Sequence, residues 1–220
     1  VTALITPSPD RTEVRCIHFG VCGGCRWQHL PYEKQLYYKA KQVNDNLTRI
    51  SHASIPTPEP ILGSENQYLY RNKLEFTFSD RRWMTREEIA SGTEIGYEPA
   101  LGFHIPGIFD KILDITECHL QAEPSNAIRN RIRDYTLSKN LRYYSIKQHE
   151  GFLRNIIVRT ASSGEVMIIV ILAREDRDEM FPLLDFIKTE FPEISSLYYI
   201  INSKHNDSLA DQTPVHYYGS

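Results

Sequence analysis

Hydrophobic positions recur along this chain with two different periods, and the change from one to the other outlines its elements. After Pro31, the residues Tyr32, Leu36, Ala40, Val43, Leu47 and Ile50 return every three or four positions, with Lys34, Lys41, Asn44 and Asp45 on the opposite side. That pattern predicts an amphipathic helix opened by proline. A period of two takes over in YLYRNKLEFTFSD (68–80), where Leu74, Phe76 and Phe78 alternate with Lys73, Glu75 and Thr77, as a strand with one buried face requires. Between them, SIPTPEPILG carries three prolines and reads as an extended connector.

Further along, RRWMTREEIASG predicts a turn and a short helix, IGYEPALGFHIPG an extended run, and FDKILDITEC a strand that delivers Cys118 at its end. A helix is expected from Pro124 to Ser138 with Ile128, Ile132 and Tyr135 facing inward. FLRNIIVRTASSGEVMIIVILA reads as a hairpin around Ser-Ser-Gly whose second, almost wholly apolar strand is central. Asp176 and Glu179 resemble a capping box, followed by the stripe Met180, Leu183, Leu184, Ile187 and Phe191. SLYYIINSK is another strand, and PVHYYGS the beginning of one more. These elements imply an α+β fold, a mainly antiparallel sheet with helices packed on it, preceded by a cysteine-rich loop.

Composition changes this picture little. The chain has 220 residues, 41% of them hydrophobic and 24% charged, with a formal net charge of −3. No apolar stretch reads as a signal segment or membrane span, so the expected setting is the cytoplasm. The net charge conceals an asymmetry. Residues 11–50 hold seven bases (Arg11, Arg15, Arg26, Lys34, Lys39, Lys41, Arg49) against three acids (Glu13, Glu33, Asp45), a balance of +4. Residues 174–193 hold three bases against seven acids, a balance of −4. A polyanion would be drawn to the first segment and repelled by the second.

The four cysteines carry the candidate chemistry. Cys16, Cys22 and Cys25 share one short segment, CIHFGVCGGC, and Cys118 follows far downstream beside His119. Two disulfides, in any of three pairings, are one reading. A thiolate site is the other, because three thiolates on a glycine-bearing loop plus a remote fourth suit a soft metal or an iron–sulfur cluster. Cys22-x-x-Cys25 is equally a zinc half-site, so spacing leaves zinc and iron open. Gly20, Gly23 and Gly24 would allow positive φ and close approach of amides to sulfur in such a loop.

The block CIHFGVCGGCRWQHLPYEKQLYYKAKQV, with YRNKLEFTF, LGFHIPG, DITECHL and GFLRNIIVRT, resembles the RNA (uracil-5-)-methyltransferases, in particular those acting on 23S ribosomal RNA. The resemblance covers essentially the whole chain. It implies a [4Fe-4S] cluster held by Cys16, Cys22, Cys25 and Cys118. It also implies a parent enzyme in which a cysteine thiolate adds to C6 of a uridine. C5 then takes a methyl group from S-adenosylmethionine, and a base removes the C5 proton so that the cysteine can leave. Neither a cysteine before Asn-Pro nor a glycine-rich cofactor signature occurs in this chain, so it is expected to be the cluster-bearing central part, with no catalytic or S-adenosylmethionine-binding residue of its own. The expected organisation is a remnant of a TRAM β-barrel at 1–10, a cysteine loop and helix at 11–60, a central α+β RNA-recognition domain at 61–215, and the start of a catalytic domain at 216–220.

The partner implied is structured RNA, 23S ribosomal RNA first and transfer RNA as the alternative, bound by a monomer. Arg71, Asn72 and Lys73 are the leading contacts, since alternation sets Arg71 and Lys73 opposite Leu74 and Phe76. Arg26, Trp27, Gln28, Phe103, His104 and Arg154 form a second group, arginine for phosphate and aromatics for unpaired bases. The same residues admit structural readings, Trp27 and Phe103 as core and Arg154 as the partner of a nearby acid. Two other functions compete. One is a redox or radical enzyme that uses the cluster chemically; against the radical class stand the five-residue first spacing and the fourth thiolate. The other is a zinc-stabilised RNA-binding module with no enzyme attached.

Overall fold

The computed structural model describes residues 5–51, 56, 58–92 and 98–220, and they divide into two compact units. Unit 1 comprises residues 5–20 and most of 25–67, and unit 2 comprises Val21–Gly24 and Tyr68–Ser220. The expected barrel remnant at 1–10 falls partly outside the described residues, and 5–10 form bends and turns rather than a strand.

In unit 1 the proline-opened helix forms as α1 (Tyr32–Asp45) and continues into a π-helical turn, Asn46–Ile50. The connector returns along it. Ser64 N donates to Tyr32 Oη (2.7 Å), and Gly63 approaches Leu36 and Tyr32 closely enough that a Cβ would lie 3.2 Å from Leu36 Cδ1. The predicted apolar stripe exists but is not buried. Val43, Leu47 and Ile50 are exposed, and no described residue of unit 1 reaches full burial.

Unit 2 holds the core. Its seven strands are β1 (Lys73–Ser79), β2 (Ala100–Ile105), β3 (Ile108–Asp114), β4 (Leu153–Thr160), β5 (Val166–Leu172), β6 (Ser196–Ile201) and β7 (Val215–Gly219). They form one sheet in the order β3-β2-β1-β4-β5-β6-β7. Every neighbouring pair is antiparallel except β5–β6. That parallel pair is connected through α4 (Arg177–Glu190), the crossover such a pair needs. A short helix, α2 (Arg86–Ala90), and α3 (Ser125–Ser138) complete the described elements. Strand β7, which takes in most of the 216–220 stretch expected to open a further domain, pairs with β6 at the edge of this sheet.

Alternation decides which face is covered. Leu74, Phe76 and Phe78 of β1 and their partners Val158 and Ile156 of β4 are buried, as are Val166, Ile168 and Val170 of β5. Tyr143 sets its ring edge-on to Phe78 and its hydroxyl 2.8 Å from Thr136 Oγ1 of α3, which places α3 on that side. Helix α4 lies beside α3, with Tyr135 stacked on Phe186 at 4.0 Å and Arg131 Nε 2.7 Å from Glu190. Met180, Leu183, Leu184 and Ile187 are fully buried, and each such side chain contributes about 2 kcal/mol. Asp176 Oδ1 accepts from Glu179 N (3.4 Å), but the Glu179 carboxylate turns to Arg174 instead of closing the box. Among the described residues no helix is long and apolar enough to cross a membrane.

Candidate nucleic-acid interface

The cysteine loop is built by turns. Within unit 1, Phe19 N donates to Cys16 O and Cys16 N to Gln28 Oε1 (3.2 Å), so Gln28 braces the loop from inside. Trp27 is half-buried with Lys39 Nζ 5.8 Å from its ring centre, and Arg26 is exposed. Within unit 2, Gly24 N donates to Cys22 Sγ (3.4 Å). Gly23 N donates to the His104 carbonyl (3.1 Å), and a Cβ at Gly23 would stand 2.4 Å from that oxygen. Gly20 has the positive φ expected of the loop (+90°), whereas Gly23 is there because another backbone passes too close for any side chain.

Cys118 is buried in the segment after β3. Its amide donates to Asn126 Oδ1 (2.8 Å), while Gln121 ties the same segment to β4 by donating to Val158 O (3.0 Å). The expected [4Fe-4S] site does not form among the described residues. A cluster or metal ion needs side chains converging on one centre. Among the described residues no three or more His, Cys, Asp or Glu do so. The glycines of the loop serve turns and close backbone packing, and Cys22 Sγ accepts a loop amide.

The leading RNA candidates occupy the start of β1. Leu69 N and Arg71 N donate to the carbonyls of His119 and Leu120, which extends the strand direction backward and leaves the Arg71 and Asn72 side chains exposed. Lys73 points to the side opposite Leu74 and Phe76, as alternation demands, and its Nζ lies 3.1 Å from Glu75. Directly across from Lys73 in the register stands Arg159 of β4, also exposed. Residues paired across strands project to the same face. Arg71, Lys73 and Arg159 therefore form a cationic end to the sheet. Among the described residues neither arginine has an ion-pair partner. Sequence reading missed Arg159 because the pairing of β1 with β4 is long-range. Its signal was present in GFLRNIIVRT, where Arg159 shares a parity with Ile157 and Asn155.

The second group scatters. His104 is exposed on β2. Phe103 is half-buried against Phe76, ring centres 5.2 Å apart, and belongs to the core side. Arg154 is withdrawn from any ligand, its side chain 1% exposed. It donates to the carbonyls of Asn202, Lys204 and Asn206 and to Asp207 Oδ1, with its guanidinium 4.3 Å from the Tyr144 ring centre. Arg154 thus clamps the segment between β6 and β7, with the acid partner Asp207 among its acceptors.

A small pocket lies beside this clamp, lined among others by Thr77, His104, Asp110, Tyr144, Arg154 and Asp207. Its charges are matched. Asp110 pairs with Lys147 (2.7 Å), whose ammonium holds the Asp110 carboxyl below the usual range, and Asp207 pairs with Arg154. Such a pocket offers an incoming ion no unbalanced charge.

No family model matches the chain. It is 51% identical over 207 residues to an uncharacterized RNA methyltransferase of Bacteroides thetaiotaomicron, a match covering 93% of this chain and 46% of that protein. It is 46% identical over 226 residues to one of Porphyromonas gingivalis, covering 100% of this chain and 48% of that protein. A third, from Chlorobaculum tepidum, is 38% identical over 192 residues, covering 86% and 40%. The chain spans a little under half the length of these curated relatives. Among solved structures, the tRNA (uracil-54, C5)-methyltransferase of Pyrococcus abyssi, in complex with S-adenosyl-L-homocysteine, shares the fold. The TM-score is 0.62 at 24% identity, covering 94% of this chain and 41% of that one. Over nearly its whole length, then, the chain is related to proteins named RNA methyltransferases.

Proposed function

We propose that this chain is the RNA-positioning part of an S-adenosylmethionine-dependent RNA uracil-5-methyltransferase, with 23S ribosomal RNA as substrate. The single observation that carries the reading is the 51% identity to an RNA methyltransferase over 93% of the chain. The cationic start of β1 supplies the contact surface, with Arg71 and Lys73 gripping phosphate. When bound to the whole protein, S-adenosylmethionine supplies the methyl group. The residues of this chain hold the folded RNA, and that binding offsets the few kcal/mol needed to draw a uridine from its stack. Transfer RNA is the second reading, favoured by the fold shared with an enzyme that acts on tRNA.

The test is methyl transfer by the whole protein from labelled S-adenosylmethionine to ribosomal and transfer RNA, with 5-methyluridine read in the digest. 5-Methyluridine in ribosomal RNA is the expected result. Label in transfer RNA alone would select the second reading, and its absence from both would overturn the assignment. In the same protein Arg71→Ala should weaken RNA binding and lower the salt slope of log affinity by about 0.7 to 0.9. An unchanged slope removes Arg71 from the interface.

A further inference from the structure

The sheet of unit 2 has a second face, turned away from α3 and α4. The register lists what stands on it. One row runs Lys73, Arg159, Met167 across β1, β4 and β5, and the next runs Glu75, Ile157, Ile169, Tyr198, His216 from β1 to β7. Part of this face is covered where Leu209, from the Arg154-clamped segment, packs against Ile157, Ile171 and Ile200 with Ile169 alongside. Beyond Leu209 the face stays accessible. Arg159 and His216 are exposed, and Lys73, Met167 and Tyr198 are half-buried. Tyr198 and His216 meet edge to face, ring centres 5.2 Å apart and planes at 63°.

Resting on the proposed methyltransferase function, we propose that this face binds unpaired RNA, with bases stacking on the Tyr198–His216 pair and phosphates held by Arg159, Lys73 and Arg71. Three observations argue for RNA as the occupant. The charge is complementary, since Arg71 and Arg159 have no ion-pair partner among the described residues, and Lys73 stands on the same face beside its partner Glu75. Aromatic rings and cations lie on one face, and strands sit about 4.8 Å apart, so Tyr198 lies roughly 10 Å across the sheet from the Arg159 strand. Leu209 covers Ile157 and Ile169 between them, so a strand of RNA that touches both runs past half-buried Met167, at the uncovered end of the face. An open sheet bearing aromatic rings and flanked by cations is a surface on which unstacked bases lie flat. A duplex presents no free base faces and gains the phosphate contacts alone.

The experiment uses the 220-residue chain, a short fluorescein-labelled single-stranded RNA and a duplex of equal length, read by fluorescence anisotropy across a salt series. Single strand should bind more tightly than duplex. Tyr198→Ala should weaken single-strand binding roughly ten-fold, while Tyr198→Phe keeps the ring and the affinity. Arg159→Ala should lower the salt slope for single strand by about 0.7. Should Tyr198→Ala fail to fold, the exposed Arg159→Glu carries the test and should weaken binding by more than Arg159→Ala. Wild-type affinity in Arg159→Glu, equal binding of duplex and single strand, or no binding of either RNA by the wild-type chain overturns the proposal. These outcomes are separate from methyl transfer. Neutral variants in a chain that binds RNA would discard this face and leave the methyltransferase reading standing, and absent 5-methyluridine would do the reverse.

Discussion

Asp110 shows how a single residue's environment sets a measurable pH response. Its side chain is 9% exposed, and the half-exposed Lys147 ammonium stands 2.7 Å from Oδ2. The hydrogen bond from Lys147, against desolvation, lowers the carboxyl pKa in the folded state. A depressed folded pKa contributes stability above the unfolded value of about 3.9, and that contribution is lost as pH falls through the folded value. Lys147→Met should therefore cost about 1–2 kcal/mol at neutral pH, discounted for the exposed lysine. The gap between variant and wild type should close in acid, where a protonated Asp110 no longer needs the ammonium. Urea unfolding at a series of pH values checks this, and a gap that does not narrow as pH falls below the ordinary carboxylate range would count against it. At this scale the sequence was a partial guide. The outward placing of Arg71 and Lys73 follows from alternation alone, whereas Asp110 and Lys147 meet only because β3 and the segment before β4 are folded together.

Among the elements, β4 is where period-two reasoning succeeded and then broke. Leu153 to Thr160 forms a strand paired on both sides, as its apolar pattern requires. A register shift between Leu153 and Asn155 then interrupts the ladder beside Arg154, and irregularities of this kind re-aim side chains. Arg154, a surface candidate by sequence, is buried and spends its donors on the segment after β6. Arg154→Met should destabilise the chain by about 3 kcal/mol, since it leaves three carbonyls and the Asp207 carboxylate short of donors. Amide exchange over 203–208 should accelerate more than exchange in β5, by hydrogen-exchange mass spectrometry. Arg154→Lys should rescue little, because an ammonium cannot reproduce the planar set of donors. Equal exchange in variant and wild type would remove the clamp. Helix α1 makes the complementary point, since its 3.6-residue periodicity specified the helix correctly and said nothing about whether the apolar stripe would be covered.

For the whole molecule, burial is unevenly divided. Unit 2 holds every fully buried side chain among the described residues, and unit 1 holds none. Because burial supplies most of the resistance to local opening, amides of α1 should exchange at far lower opening free energy than those of β4 and β5. Protection in α1 equal to that of β4 would show that something beyond this chain's own packing holds unit 1. The sequence by itself determined the helices, most of the strands, the α+β class and the resemblance to RNA methyltransferases, because these depend on local periodicity and on short blocks of residues. Tertiary structure decided what depends on residues far apart in the chain. It set Arg159 beside Lys73 and brought Tyr198 to His216 on one face. It drew Arg154 inward, and among the described residues it assembled no metal-ligand group from the cysteines. The physical reason is that strand register, and the meeting of distant side chains, are fixed by long-range pairing and burial, which no local period encodes.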